Sequence, residues 1–451
     1  MKKSLAIFMS MLVLLTVSCG NNDDDVVLSP YAVLKSFSIK NIKSVYPSYT
    51  SEGLDTSVVK TILGASYPFS INQVTGEVGN LDSLPFATAV DKVVIDMDLL
   101  GYAKIYDDAT GVFEGFTTSD SIDFTTPRKF RITSTDSEYY RDYTVSLNVH
   151  QVEPEKMVWD KYQSVDALKP CRALEFNGEL CLFGKKNGEW VLATSSLAGI
   201  PSWETEPIVG LSADADMSTI QAFGGALYLV AADGVYTSAD ALNWYLCHAC
   251  SDALAIVGAS DEDGCMWVAT GSGLLSTADG VVFEDAGELP AGFPVYGTSI
   301  MSYTLNHHSG IVRYMLVGYD NEAMDGVPAV WSRLSTEDKW AKYENENNPF
   351  PCPALKGLTV VRYDDFLYAF GGAGSVRGED VGAFSSFFIS RDNGITWKAP
   401  DGFYQRMPAG LQGCEEPFVA TVDPNNVMWI VCGGDTPVVW KGLINRLGFK
   451  N

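Results

Sequence analysis

Basic residues are scarce in this chain of 451 residues: 31 Lys and Arg stand against 56 Asp and Glu, a formal net charge of −25. A surface so charged repels phosphate backbones, which excludes nucleic acid as a partner. Histidine is scarcer, with only His150, His248, His307 and His308, and the adjacent pair His307–His308 precedes a turn, where solvent suits it better than metal. No G-x-S-x-G elbow, P-loop or Rossmann fingerprint is present. The lone Cys247-His248-Ala249-Cys250 has no second pair at the spacing zinc needs. Asp320 to Asp325 is acidic but has no EF-hand spacing, so it reads as a surface loop. No metal and no cofactor is therefore expected. Cys19 aside, the N-terminal third has no cysteine; the other eight run from Cys171 to Cys432. An exported chain could pair them, but Cys181 and Cys432 lie in apolar runs where free thiols pack as small hydrophobes.

What is abundant points to β-structure. Glycine (41 residues) and aromatics (12%) are plentiful, while 46% apolar and 19% charged residues are ordinary for a globular chain. The length is about three times the ~150-residue norm for one domain. The N-terminus is not part of any fold: Lys2 and Lys3 precede an apolar run, Leu5 to Val17, of signal-peptide length and too short to span a bilayer. Thr16-Val17-Ser18-Cys19 resembles a bacterial lipobox, with residues 1–18 as the signal. That resemblance implies acylation of Cys19 and stable anchoring through several acyl chains. Residues 19–26, with Asp23-Asp24-Asp25, form an acidic tether similar to the surface-export signals of Bacteroidetes lipoproteins.

Residues 27–152 carry period-two alternation at Phe37/Ile39, Phe69/Ile71, Phe130/Ile132 and Tyr143/Val145, with a short buried run at Val93 to Ile95. Turn signals fall at Tyr46-Pro47-Ser48, Thr75-Gly76 and Thr126-Pro127. Short strands over this length predict an immunoglobulin-like β-sandwich.

Residues 157–451 hold an internal repeat. Asp240…Trp244 matches Asp279…Phe283, and Ser390-Arg-Asp392-Asn-Gly394-Ile-Thr-Trp397 is a third copy. Weaker copies end at Trp203 and Trp340, and the aromatics at 203, 244, 283, 340 and 397 stand 41, 39, 57 and 57 residues apart. A second element, a polar two-residue turn feeding an apolar strand, recurs at Asn177-Gly178, Gly224-Gly225, Asp263-Gly264, Ser309-Gly310, Asp364-Asp365 and Asn425-Asn426. Such turns need positive φ. Units of four strands predict a six-bladed β-propeller, its last blade completed by the strand around Trp159. The chain is thus expected to be all-β.

The repeats resemble kelch and Asp-box propellers: Gly224-Gly225-Ala-Leu227-Tyr228 is kelch-like and Ser390 to Trp397 fits S-x-D-x-G-x-T-W. With Asn80-Leu-Asp82-Ser83-Leu84-Pro85 upstream, the whole chain resembles a Bacteroidetes surface lipoprotein family that pairs an N-terminal β-sandwich with such a propeller. In Asp boxes the Ser and Asp cap a turn and the aromatic packs between blades, so these residues are structural. No arginine stands in the Phe/Tyr-Arg-Ile-Pro setting of sialidases; Lys169-Pro-Cys-Arg172 occupies roughly that place without matching.

No catalytic residue is expected. The two long spacings put insertions at 319–328 and 373–384, each after the second strand of a blade and so on one face of the ring. They make Tyr319, Asp320, Asn321, Glu322, Asp325, Arg377, Glu379 and Asp380 the candidate binding residues. The expected function is a non-catalytic, glycan- or protein-binding lipoprotein on the outer membrane, facing outward. The alternatives are a polysaccharide-degrading enzyme and a structural subunit of an outer-membrane complex.

Overall fold

The computed structural model describes residues 28–49, 55–151, 153, 156–212, 214–344, 347–400, 405–434 and 437–444; the signal segment, Cys19 and the acidic tether fall outside them. The chain divides into two compact units after Glu153. Among the described residues the only helical segments are two short 3-10 turns, Gly64–Ser66 and Ala409–Leu411.

In the first unit Val33–Ile39 pairs antiparallel with Val93–Leu100, which carries Ser121–Ile122 on its other edge. A second sheet orders Phe69–Asn72, Glu77–Asn80, Tyr140–Ser146, Arg128–Thr133, Tyr102–Asp107 and Val112–Gly115. Glu77–Asn80 and Tyr140–Ser146 run parallel, so this sheet is mixed. Alternate residues of the two sheets meet in one core: Phe37, Ile39 and Ile95 from the first, Val78, Phe130, Ile132 and Val145 from the second. The expected turn at Tyr46-Pro47-Ser48 is not one. Pro47 lies inside Ile42–Tyr49, opposite Ser57 of Asp55–Ile62, in a two-stranded ribbon whose edges tolerate a residue without an N–H.

The second unit repeats one motif. Four-stranded antiparallel sheets begin at Leu168–Phe176, Asp216–Phe223, Ala253–Ser260 and Tyr296–Leu305. The fifth consists of Thr359–Tyr363, Phe366–Phe370 and Phe388–Ser390, with Lys398 bridging Ile389 at its edge. The sixth consists of Phe418–Val422, Met428–Cys432, Val438–Ile444 and, from the start of the unit, Met157–Gln163. That last pairing runs in register from Met157 opposite Ile444 to Gln163 opposite Val438. The first strands of successive sheets pack on one another, and that of the sixth packs on that of the first, so the sheets close a ring.

Apolar layers fill the spaces between sheets. Phe183, Leu229 and Trp244 join the first and second sheets, Val230 and Val268 the second and third, and Tyr314 and Trp340 lie between third and fourth. Met315, Leu367 and Trp397 fill the next space, Tyr368, Phe387 and Trp440 the one after, and Leu182 with Trp429 closes the circuit. Each sheet buries both faces, which explains the continuous apolar run of every second strand.

Five of the six expected turns have positive φ where the chain reverses, as at Asn177 (52°) with Gly178 (82°) and Asp364 (50°) with Asp365 (65°). The fourth differs. Leu305 pairs with His308, so Asn306 and His307 make the reversal and Ser309-Gly310 lies within the strand His308–Tyr319.

Candidate functional site

The repeated Ser/Thr–Asp turns are closed capping units. Asp240 accepts the backbone N–H groups of Asn243 (2.7 Å) and Leu242 (2.9 Å) and the Asn243 amide (2.7 Å). Asp279 accepts those of Val282 (2.8 Å) and Val281 (2.9 Å), and Asp392 that of Thr396 (2.8 Å) with its hydroxyl (2.7 Å). Asn243's backbone N–H, foremost among these partners, holds the Asp240 carboxyl down to about 2. Val282 and Val281 lower Asp279 in the same way. At Asp392 burial pushes upward, but the Thr396 and Ser390 hydrogen bonds prevail and the net shift is down.

The tryptophans behave alike: Trp244 donates to the Ala241 carbonyl and Trp397 to that of Gly394, each at 3.0 Å, and both are fully buried. Gly394 accepts no side chain, since its φ is +89° and a Cβ would stand 2.8 Å from Met315 Cε. Its N–H is held by Ser390 Oγ at 2.7 Å. Phe283 is half-buried: it stacks on His248 of the second sheet at 4.5 Å and packs at the margin of the apolar layer between the second and third sheets. The carboxylates of these turns bond back to their own loops, which leaves them little with which to bind a ligand.

The eight described cysteines are free. Cys247 donates to the Val235 carbonyl (3.2 Å) and Cys250 to Asp252 (3.0 Å), so the Cys-x-x-Cys thiols serve separate partners. Burial pushes the Cys247 thiol up to about 11 and Cys181 to about 12, which makes both poor nucleophiles at neutral pH. Cys171, Cys352 and Cys414 pack against apolar layers between sheets.

Both insertions join the second strand of a sheet to its third and so leave the ring at the same end. Asp320, Glu322, Asp325, Arg377, Glu379 and Asp380 are exposed and Asn321 is half-buried. Asn321 folds its loop by bonding the Asp325 backbone N–H (3.3 Å) and carbonyl (3.2 Å). Tyr319 does not belong with them. It is buried, and its hydroxyl donates to the Leu355 carbonyl (3.4 Å), so it anchors the loop. The second insertion is a hairpin, Gly374–Val376 with Glu379–Val381, docked on Ala354–Leu355. Its tip is exposed, but Ala383 and Phe384 are core residues, with Phe384 edge-on to Phe418 at 4.7 Å.

Two cavities stand out among the described residues. A groove of about 730 Å³ opens at the insertion-bearing end where the first and sixth sheets meet. Lys169, Lys185 and Glu416 supply charge to it, Leu168 and Pro417 an apolar surface, and the turn Asn187-Gly188 its wall. Lys185 also lies over the Trp190 ring at 4.2 Å. The second cavity, about 180 Å³, is bounded by the first strands of the first, fourth, fifth and sixth sheets and so occupies the ring's centre. Arg172 and Arg362 line it with Ser299, Thr359 and Thr421. The sequence singles out Arg172 only for failing to match a sialidase clamp, and Arg362 not at all. The available signal is that each arginine sits beside apolar residues within a first strand, Cys171 and Ala173 at Arg172 and Val361 at Arg362.

The family model described as the DUF6242 beta propeller domain matches residues 153–451, and that of the DUF6242 N-terminal domain matches residues 37–147. Among curated proteins none matches. Among solved structures the chain is similar to the calcium structure of a family AA12 carbohydrate-active enzyme from Trichoderma reesei, at 11% identity and a TM-score of 0.41, covering 66% of this chain and 99% of that one. It is also similar to a glucose dehydrogenase (14% identity, TM-score 0.38, 62% and 98% covered). A third is the soluble aldose sugar dehydrogenase of Escherichia coli (12% identity, TM-score 0.35, 64% and 100% covered).

Proposed function

The chain belongs to the DUF6242 family, with that family's β-propeller domain as its second unit, and from this premise we propose that it is a lipid-anchored surface protein whose propeller binds a glycan or protein without catalysis. In this reading the ring is a six-bladed propeller of Asp-box and kelch character, the first unit is an immunoglobulin-like spacer, and Cys19 carries the acyl chains on an outward-facing outer membrane of the Bacteroidetes type. The carrying observation is the 730 Å³ groove, which shares an end of the ring with the exposed residues of both insertions. Its mixture of lysine, carboxylate, glycine backbone and apolar surface is what a sugar ring or a polar peptide uses, with directional hydrogen bonds above a nonpolar floor.

The test is a glycan array and a pull-down with the protein purified from membranes in detergent. The paired substitution Lys169→Ala and Lys185→Ala is expected to weaken any captured ligand at least tenfold. Capture unchanged by that pair and by replacement of Arg377 to Asp380 with a short turn would overturn the reading. Anchoring has its own readout: Cys19→Ala is expected to move the protein from the membrane to the soluble fraction.

A further inference from the structure

Two guanidinium groups and no carboxylate line the cavity at the centre of the ring, in a chain with 56 acidic residues. One of the two is already neutralised: Arg362 reaches Asp365 at 2.6 Å and lies over the Tyr303 ring at 4.4 Å. Arg172 is not. It has no ion pair and no hydrogen bond among the described residues, and its Nε is shut off from solvent. Burial pushes its ionisation down to about 10, so at neutral pH it still carries a full positive charge. Only Nε is cut off from water; the residue as a whole is half-buried, so its charge is partly screened by solvent but has no protein partner. The cavity therefore presents one positive charge with no protein partner to a half-open space at the ring's centre.

We infer that this cavity is a binding site for a small monocarboxylate, or for the carboxylate end of a longer ligand, held by the guanidinium of Arg172. Three features select that class. A monoanion neutralises the single free charge, whereas a phosphate dianion leaves an excess negative charge beside it. The planar fork of a guanidinium matches the two oxygens of a carboxylate, which a spherical halide cannot exploit. The remaining surface divides as an organic acid requires. Ser299 accepts the Val360 N–H (2.9 Å), which leaves its hydroxyl proton free to donate, while Ile300, Met301 and Val360 supply apolar wall. At about 180 Å³ the space equals about six waters of ~30 Å³ each, enough for a carboxylate and a few carbons. This inference is independent of the groove, since none of its residues lines that groove.

The experiment is thermal melting of the purified protein at pH 7 and constant ionic strength, with sodium acetate or lactate replacing sodium chloride, and sodium phosphate as a separate arm. The expected result is a saturable rise in Tm with the monocarboxylates, at least tenfold more potent than with chloride or phosphate. Arg172→Met is expected to abolish the rise and, in chloride, to melt no lower than the parent, because it removes a half-buried charge that has no protein partner. Should Arg172→Met fail to fold, Arg172→Lys serves: it keeps the charge without the fork and is expected to weaken the carboxylate response at least tenfold. Absence of a saturable response in the parent, an equal response in the Arg172 variants, or chloride or phosphate matching acetate would each overturn the inference. Ligand capture unchanged by the groove substitutions, with the acetate response intact, would overturn only the surface-binding reading.

Discussion

Three aspartates, Asp240, Asp279 and Asp392, do the same work at three equivalent turns, and each has its carboxyl held below the usual carboxylate range. A carboxyl lowered by folding contributes stability that is fully present above the unfolded value near ~4 and is lost as pH falls through the folded value. For Asp240 that window runs from about 4 to about 2. Asp240→Asn keeps an acceptor oxygen but not the charge. It is expected to lower Tm at pH 7, with the gap to the parent closing between pH 4 and pH 2 in a pH series of melts. A gap that does not depend on pH would assign the effect to turn geometry. Trp397 acts by packing: it fills the space between the fourth and fifth sheets with its ring N–H satisfied. Trp397→Ala is expected to destabilise by about 3–5 kcal/mol in denaturant titration, with the carboxylate response of the folded fraction unchanged.

Among the elements, the hairpin Gly374–Val376 with Glu379–Val381 is the one whose meaning changes between sequence and fold. Its spacing reads as a removable insertion over 373–384. In the structure only the turn at Arg377-Gly378 and its flanks is free, because Val376 and Val381 pack on one apolar layer while Ala383 and Phe384 belong to the next. Replacing Arg377 to Asp380 with an Asn-Gly turn is expected to leave Tm within a few degrees of the parent. Removing 373–384 altogether deletes a buried phenylalanine and should destabilise by about 3–5 kcal/mol. Melting curves of the two variants side by side decide this, and equal stability would mean that Phe384 is dispensable.

For the whole molecule, the ring depends on a strand from one end of the unit completing a sheet at the other. Without Met157–Gln163 the strand Val438–Ile444 becomes an open edge, and open edges template association. Deleting residues 157–163 is expected to lower the Tm of the second unit as a whole, since apolar layers link every sheet to both neighbours. Size-exclusion chromatography should also show a shift to higher-order species. A monomeric variant with unchanged melting would mean that the ring holds without its closing strand.

Much of this architecture is written locally. Period-two alternation at Phe130/Ile132 and Tyr143/Val145, the Asn and Gly turns at 177–178 and 425–426, and the recurrence from Trp203 to Trp397 each constrain only neighbours in the chain, so they are legible without the fold. The pairing of Met157–Gln163 is foreshadowed in the same way, by the likeness of Trp159 and Tyr162 to Trp340 and Tyr343. What escapes is whatever depends on register or on distant strands. The reversal at Asn306–His307, which displaces the turn from Ser309-Gly310, follows from which residues pair across the fourth sheet. Tyr319 looks like a loop residue until the Leu355 carbonyl accepts its hydroxyl. Arg172, Ser299, Arg362 and Thr421 lie scattered over about 250 residues and meet only because closing the ring brings four first strands to one axis. Charge compensation there is a property of the space between those strands, set by which side chains face it, and no pattern along the chain records it.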